Sequence, residues 1–148
     1  MRAVVQRVRF AKVEVAGVVV GAIEQGLLVY LGIGLKDGAA EASYVLEKII
    51  HLRIFGDDGG KMDRNVLDVG GALLVVSQFT LYGDVRRGRR PSFTEAMVPA
   101  EAERTYDAFV AEAGTRIRVA SGRFGADMHV TSLNDGPVTI WIDSAKSG

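Results

Sequence analysis

The chain has 148 residues, 18 of them Lys or Arg and 18 Asp or Glu, so its formal net charge at pH 7 is zero. Proteins that coat nucleic acid without sequence preference are usually basic overall, so any basic surface here has to be local. Because the chain has no cysteine, disulfide bonds, thiolate catalysis and cysteine-ligated zinc are excluded. No stretch has the length and apolarity of a signal peptide or a membrane span, and we expect a cytoplasmic protein. No repeat or linker divides the chain, which predicts a single domain over residues 1–148.

The first half of the chain predicts a hairpin, a buried strand and a helix. Residues 12–15 alternate between polar and apolar side chains, and residues 18–20 follow after a glycine, which is typical of a β-hairpin. The short apolar run at 27–31 indicates a buried strand. Apolar side chains at helical spacing between 39 and 52 predict the first helix.

The second half predicts two further strands and a second helix. Apolar runs at 73–76 and 138–142 indicate buried strands, and helical spacing returns at 99–113. Pro99 suits a first helical turn, and Gly114 suits the position after the last one. Strands grouped together with only two helices favour an α+β fold. We expect a compact, strongly curved or barrel-like sheet with two flanking helices.

Most familiar catalytic and ligand-binding motifs are missing. His51 and His129 are isolated, with no second His or Cys at metal-ligand spacing, so no metal site is predicted. The glycines at 32–38 do not have the spacing of a Gly-x-Gly-x-x-Gly dinucleotide-binding loop, and no P-loop Lys-Ser/Thr follows. No serine lies in a Gly-x-Ser-x-Gly context, so a Ser-His-Asp triad cannot be assembled. If the chain is a hydrolase, its chemistry rests on binding geometry and hydrogen bonds, with no cofactor.

Polar residues follow the predicted strand at 73–76, where a buried strand can deliver side chains to the rim of a pocket. Ser77 and Thr80 offer hydroxyls, and Gln78 offers both donors and an acceptor. Phe79 offers a surface on which a base can stack. A strand end followed by ordinary turn residues explains the same string, so the motif alone is only a hypothesis.

Two other segments are candidates for function. One is a cluster of four arginines within five residues, Arg86, Arg87, Arg89 and Arg90. It is interpreted either as a site for RNA phosphates or as a solvated loop. The other is Gly136-Pro137, which typically marks a turn leading into a strand. Since only about 5–6% of X-Pro bonds in folded proteins are cis, the sequence alone does not predict a cis bond there.

Several strings, in one order, resemble the D-aminoacyl-tRNA deacylase family over nearly the whole chain. They are MRAVVQRV at 1–8, LRIF at 52–55, LDV at 67–69, LVVSQFTLY at 74–82, RPSF at 90–93, GRFGADM at 122–128 and NDGPVT at 134–139.

The resemblance implies a homodimer of barrel-like subunits that hydrolyses the ester of D-aminoacyl-tRNA and spares L-aminoacyl-tRNA. If the L side chain is excluded by rejection, glycyl-tRNA should also be cleaved, because glycine has no side chain. It implies that residues 77–80 line the pocket for the aminoacylated 3′ adenosine. It also implies that Gly136-Pro137 is cis and reaches into the partner's pocket, where it rejects the L side chain, while Arg7 holds this segment in orientation.

Two catalytic models are compatible with these residues. Thr80 attacks as a covalent nucleophile, which requires a base, or the ribose 2′-hydroxyl assists a water while the protein positions the ester. We favour the second model because no histidine or lysine is placed to activate Thr80. Backbone N–H groups near Phe79 and Thr80 are expected to stabilise the oxyanion. A non-catalytic RNA-binding module and a small-molecule esterase remain as alternative classes.

Overall fold

A six-stranded mixed sheet is the framework of the computed structural model, which describes residues 1–145. The strands are β1 (Arg2–Val15), β2 (Val18–Ile23), β3 (Gly26–Gly32), β4 (Phe55–Gly56), β5 (Met62–Arg64), β6 (Ala72–Ser77), β7 (Arg118–Ser121) and β8 (His129–Asp143). The helices are α1 (Ala39–His51), α2 (Pro99–Gly114) and a short 3-10 helix, Phe79–Tyr82. The main sheet runs β2-β1-β3-β6-β7, with β8 also paired with β1, whereas β4 and β5 pair with each other.

The sheet curls into a nearly closed barrel because β2 and β7, at opposite ends of the strand order, approach each other. Gly21 of β2 faces Ser121 of β7, and a Cβ built on Gly21 would lie 2.3 Å from the carbonyl oxygen of Ser121. No side chain fits between them, so glycine permits the two backbones to meet. The strand pairs β3–β6 and β6–β7 are parallel, and the other pairs are antiparallel.

β3 and β6 are apolar at nearly every position because both of their faces are buried. Leu28 and Leu74 belong to a cluster inside the curled sheet, which side chains of β1 and β2 complete. Leu27 and Leu73 belong to a second cluster, between the sheet and the two helices. Strands that are covered on both faces read as continuous apolar runs, which is why these two are recognisable in the sequence.

The two helices cover the outer face of the sheet, as their spacing predicts. α1 buries Val45, Leu46, Ile49 and Ile50, and α2 buries Ala102, Tyr106, Phe109 and Ala113. The Tyr106 hydroxyl also donates a hydrogen bond to the carbonyl oxygen of Val75 at 2.7 Å, which ties α2 to β6. No helix among residues 1–145 is long and apolar enough to cross a membrane.

The predicted α+β class with two helices is confirmed, but several boundaries were wrong. Gly114 is the last residue of α2 and does not follow it, because Thr115 satisfies the final carbonyls with its amide and hydroxyl. β1 is far longer than the alternating stretch at 12–15 that predicted it. Its buried residues belong to the outer cluster up to Val5 and to the inner cluster from Val8. The alternation changes phase between Val8 and Ala11, which face the same cluster although they are three residues apart.

Candidate active site

A cavity of about 620 Å³ opens where the parallel strands β3 and β6 end. The last residues of both strands line it, together with residues from the segments 93–102 and 124–130. Its lining is mainly apolar, with a few polar groups at one edge. Small-molecule sites in proteins have this size and this composition.

Ser77, Gln78 and Phe79 all line the cavity, as the sequence predicts for a strand end at a pocket. Ser77 is the last residue of β6, and the Gln78 amide donates to the carbonyl oxygen of Leu31 at 2.8 Å before the chain turns into the 3-10 helix. Gly32 permits this turn, since a Cβ there would lie 3.0 Å from the Gln78 carbonyl oxygen. The segment is therefore held close to β3 by main-chain contacts.

Thr80 lies beside the cavity and not in its lining. Its hydroxyl accepts a hydrogen bond from Gln78 Nε2 at 2.5 Å. An amide nitrogen cannot take up a proton, so this partner does not activate Thr80 as a nucleophile. Neither histidine lines the cavity: His51 contacts Glu47 at 3.2 Å, and His129 lies at the start of β8, where its main chain pairs with Glu14.

Two aromatic rings stand at the cavity mouth. Phe79, which is 58% exposed, meets Phe93 edge to face with ring centroids 4.9 Å apart. An exposed ring beside an apolar cavity gives a nucleic-acid base a surface to stack on. Phe93, like Phe124, Met97 and Met128, was not singled out as a site residue, because these residues come from distant segments that only the fold brings together.

The amides of Phe79 and Thr80 are the other polar feature of the rim. As the first residues of the 3-10 helix, they have no carbonyl partner within it. Unpaired N–H groups at the start of a helical turn attract negative charge. Among residues 1–145, no group of three His, Asp or Glu side chains is arranged to hold a metal ion.

Gly136 and Pro137 lie in a bulge of β8, and not before a strand as the sequence predicts. Gln6 pairs with Thr139 and Val8 with Asn134, so two steps along β1 correspond to five along β8. Residues 135–138 have no pairing partner in β1, and Gly136 and Pro137 are exposed to solvent. The peptide bond between them is cis.

Arg7 lies opposite this bulge and bonds to its main chain. The guanidinium donates to the carbonyl oxygen of Asp135 at 2.8 Å and to that of Ile54 at 2.6 Å. Asn134 closes the bulge, because its Oδ1 accepts the Val138 amide at 2.8 Å. Gly136, with φ at 141°, has no room for a side chain, since a Cβ would lie 2.7 Å from Val138 Cγ2.

The bulge and the cavity lie at opposite ends of β3. Arg7 pairs with Leu27 and Ser77 with Leu31, so four strand residues, or about 13 Å, separate the two pairings. Neither Arg7 nor Gly136 lines the cavity. The four clustered arginines are also outside the cavity, in an exposed loop that begins and ends beside it.

Similarity to known proteins assigns the chain to a class of hydrolases that act on ester bonds. The model of the D-Tyr-tRNA(Tyr) deacylase family matches residues 4–143, and the chain belongs to that family. It is 55% identical over 147 residues to the D-aminoacyl-tRNA deacylase of Thermosipho africanus (strain TCF52B), covering 99% of both chains. It is 58% identical over 149 residues to that of Sorangium cellulosum (strain So ce56), again with 99% of both covered.

One solved structure with the same fold matches nearly the whole chain. It is described as c-Myc DNA Unwinding Element Binding Protein and superposes with a TM-score of 0.92 at 42% identity. The match covers 97% of this chain and 98% of that one. The family expectation from the sequence is therefore confirmed over almost the full length.

Replacing Arg7 by methionine should loosen the bulge. The carbonyl oxygens of Asp135 and Ile54 would lose a charged donor, which should lower the free energy of unfolding by about 1–3 kcal/mol. Denaturant titration at one protein concentration measures this change, and hydrogen exchange of the peptide containing 134–138 should become faster.

Arg9→Met is the matched control. Arg9 is 71% exposed and reaches the Asp135 carboxylate only at 3.7 Å, so its loss should cost less than about 0.5 kcal/mol. Equal stability and equal exchange in the two variants would show that Arg7 does not hold the bulge.

Proposed function

We propose that this chain hydrolyses the ester between a D-amino acid and the terminal adenosine of tRNA, releasing both products. The observation that carries the proposal is the cavity rimmed by Ser77, Gln78 and Phe79, in a chain of this family. A volume of about 620 Å³ suits an adenosine that carries an amino acid. The site of action would be the cytoplasm, where charged tRNA is used.

The rim supplies recognition for the nucleoside end of the substrate. Phe79 and Phe93 form an aromatic edge on which the adenine can stack, a contact worth about 1–3 kcal/mol per base. Ser77 and Gln78 offer a hydroxyl and an amide toward the cavity for the ribose or the ester. Stacking serves any base, so these polar groups would give the orientation of the bound end.

Ester cleavage needs a nucleophile and a site for the negative charge that develops on the carbonyl oxygen. The unpaired amides of Phe79 and Thr80 suit that charge, a contribution of about 3–4 kcal/mol per donor in related chemistry. The neighbouring ribose 2′-hydroxyl would assist the attacking water. The Thr80 hydroxyl, bonded to an amide rather than a base, is a poorer candidate.

The bulge with Gly136 and Pro137 would act as a gate that excludes L substrates, and it would do so in the cavity of a second copy of this chain. About 13 Å along β3 separates the bulge from the cavity of its own protomer, whereas the bulge stands out toward solvent. Phe10 and Leu133, a cross-strand pair beside the bulge, are 42% and 43% exposed. A homodimer that covers these apolar side chains would carry each bulge into the partner's cavity.

The gate would select by exclusion. Gly136 has no room for a side chain, so the bulge presents main chain to the substrate and cannot recognise one particular amino acid. A wall of main chain can clash with an L side chain and leave a D side chain free, which is specificity by rejection. Glycine, which has no side chain to reject, would also be cleaved.

The direct test compares matched D and L substrates. D-tyrosyl-tRNA and D-aspartyl-tRNA should both be deacylated, while L-tyrosyl-tRNA is spared at the same enzyme concentration. Release of labelled amino acid measures all three. Cleavage of the D and L substrates at comparable rates would contradict the proposal, and an absence of cleavage with binding retained would identify an RNA-binding module. Equal rates on simple D-amino acid esters would identify a small-molecule esterase.

The Thr80→Ala variant separates the two catalytic models. If the 2′-hydroxyl assists, the variant should keep kcat within about tenfold of wild type, because only one neutral hydrogen bond is lost. A substrate with 2′-deoxyadenosine and the amino acid on its 3′ oxygen should be cleaved at least about a hundredfold more slowly. An acyl group trapped on Thr80, with the deoxy substrate cleaved normally, would establish covalent catalysis.

A further inference from the structure

A loop of residues 84–92 extends from the cavity mouth. Its two ends are joined by main-chain hydrogen bonds: the Asp84 amide donates to the Ser92 carbonyl oxygen at 2.7 Å, and the Ser92 amide donates back at 2.9 Å. Every residue between these two is exposed. The loop therefore has a defined base and a fully solvated tip.

Arg86 differs from the other arginines of this loop because its charge is used internally. Its guanidinium donates to both carboxylate oxygens of Asp84, at 3.0 and 2.7 Å, and its amide donates to the same carboxylate at 2.9 Å. These hydrogen bonds lower the pKa of Asp84 to about 2, so the pair stays charged at neutral pH. Arg86 is thus a structural part of the loop.

Arg87, Arg89 and Arg90 make no ion pair or hydrogen bond with the residues that the structure describes. Gly88 separates them with a φ of +76°, a conformation that glycine adopts at little cost and that turns the tip. Three like charges within four residues repel one another, and no carboxylate among residues 1–145 forms an ion pair with them. In a chain with zero net charge, such a concentration is a local electropositive site.

The base of this loop is continuous with the cavity mouth. Phe93, which lines the cavity and meets the Phe79 ring, directly follows Ser92. Arg90 is three residues from Phe93, so no more than about 11 Å of extended main chain separates them. A polynucleotide whose terminal adenosine occupies the cavity would have its nearest phosphates in reach of the tip.

We propose that Arg87, Arg89 and Arg90 bind the phosphates of the strand that leads to the adenosine in the cavity. This inference rests on the proposed function and adds a second binding site to it. Guanidinium groups pair with phosphate oxygens whatever the base, so the loop contributes affinity to every tRNA without selecting among them. The cavity then reads the aminoacylated end, and the loop holds the strand.

The test uses one substrate with phosphates and one without. The full-length triple variant Arg87→Ala, Arg89→Ala, Arg90→Ala is assayed on D-tyrosyl-tRNA and on adenosine carrying D-tyrosine on its 3′ oxygen. We expect kcat/KM on the tRNA to fall roughly tenfold or more at low salt, with kcat/KM on the adenosine ester within about twofold of wild type. Between about 50 and 200 mM salt, the slope of log affinity against log salt should flatten by about 2, since each single-strand phosphate contact contributes about 0.7.

The triple variant Lys61→Ala, Arg104→Ala, Arg118→Ala is the matched control, because it removes the same charge from exposed positions away from the cavity mouth. It should behave as wild type on both substrates. Wild-type activity and salt slope in the loop variant would overturn the inference, and so would an equal loss on both substrates or an equal loss in the control. If the unchanged protein cleaves neither substrate, the proposed function fails. Fluorescence anisotropy with uncharged tRNA then still tests the loop. Unchanged affinity in the loop variant overturns the inference, and weaker affinity in that variant alone supports it.

Discussion

The hydrogen bonds that Arg7 donates to two carbonyl oxygens connect the fold to the proposed gate. Arg7 lies at the first of two breaks in the β1–β8 ladder, between Gln6 and Val8, and it joins the bulge, through Asp135, to the chain that follows α1, through Ile54. A charged donor half-buried between two main-chain segments makes shorter and stronger hydrogen bonds than a neutral one. Without this contact, an exposed bulge with a glycine at its centre would have few other contacts to define its position.

Holding the bulge at this end of β3 separates it from the cavity at the other end. In the proposed homodimer, each chain would contribute one cavity and one bulge, and a twofold axis would bring each bulge to the partner's cavity. Specificity that depends on main-chain geometry requires a rigidly held segment, because a misplacement of about 1 Å can cost roughly a hundredfold in rate at a reacting centre. In this proposal, the arginine loop would extend the same site outward along the nucleic acid.

Fold elements and site residues could be predicted from the sequence only where their pattern lies within one continuous segment. β3, β6, α1 and α2 are recognisable because burial leaves a periodic or continuous apolar pattern within each segment. The part of β1 before residue 12 and the first part of β8 are not, since β1 changes the cluster it packs into and residues 131–133 of β8 are exposed. The rim at 77–79 follows a buried strand and was predicted, whereas Phe93 and Phe124 reach the cavity only through tertiary contacts. The bulge depends on a register between strands far apart in sequence, and only the family resemblance indicated its role.

Assembly of each site from two protomers is most directly tested with mixed dimers. Ser77→Phe should fill its own cavity and leave its bulge intact, and Gly136→Trp should leave its cavity open and spoil the bulge. Each homodimer should be inactive on D-tyrosyl-tRNA. After unfolding and remixing in equal amounts, random pairing should restore about a quarter of the wild-type sites, because half of the dimers are mixed and each has one whole site. Light scattering and native mass spectrometry establish that the mixed dimers form. Folded mixed dimers without activity would contradict a site shared between two copies of the chain.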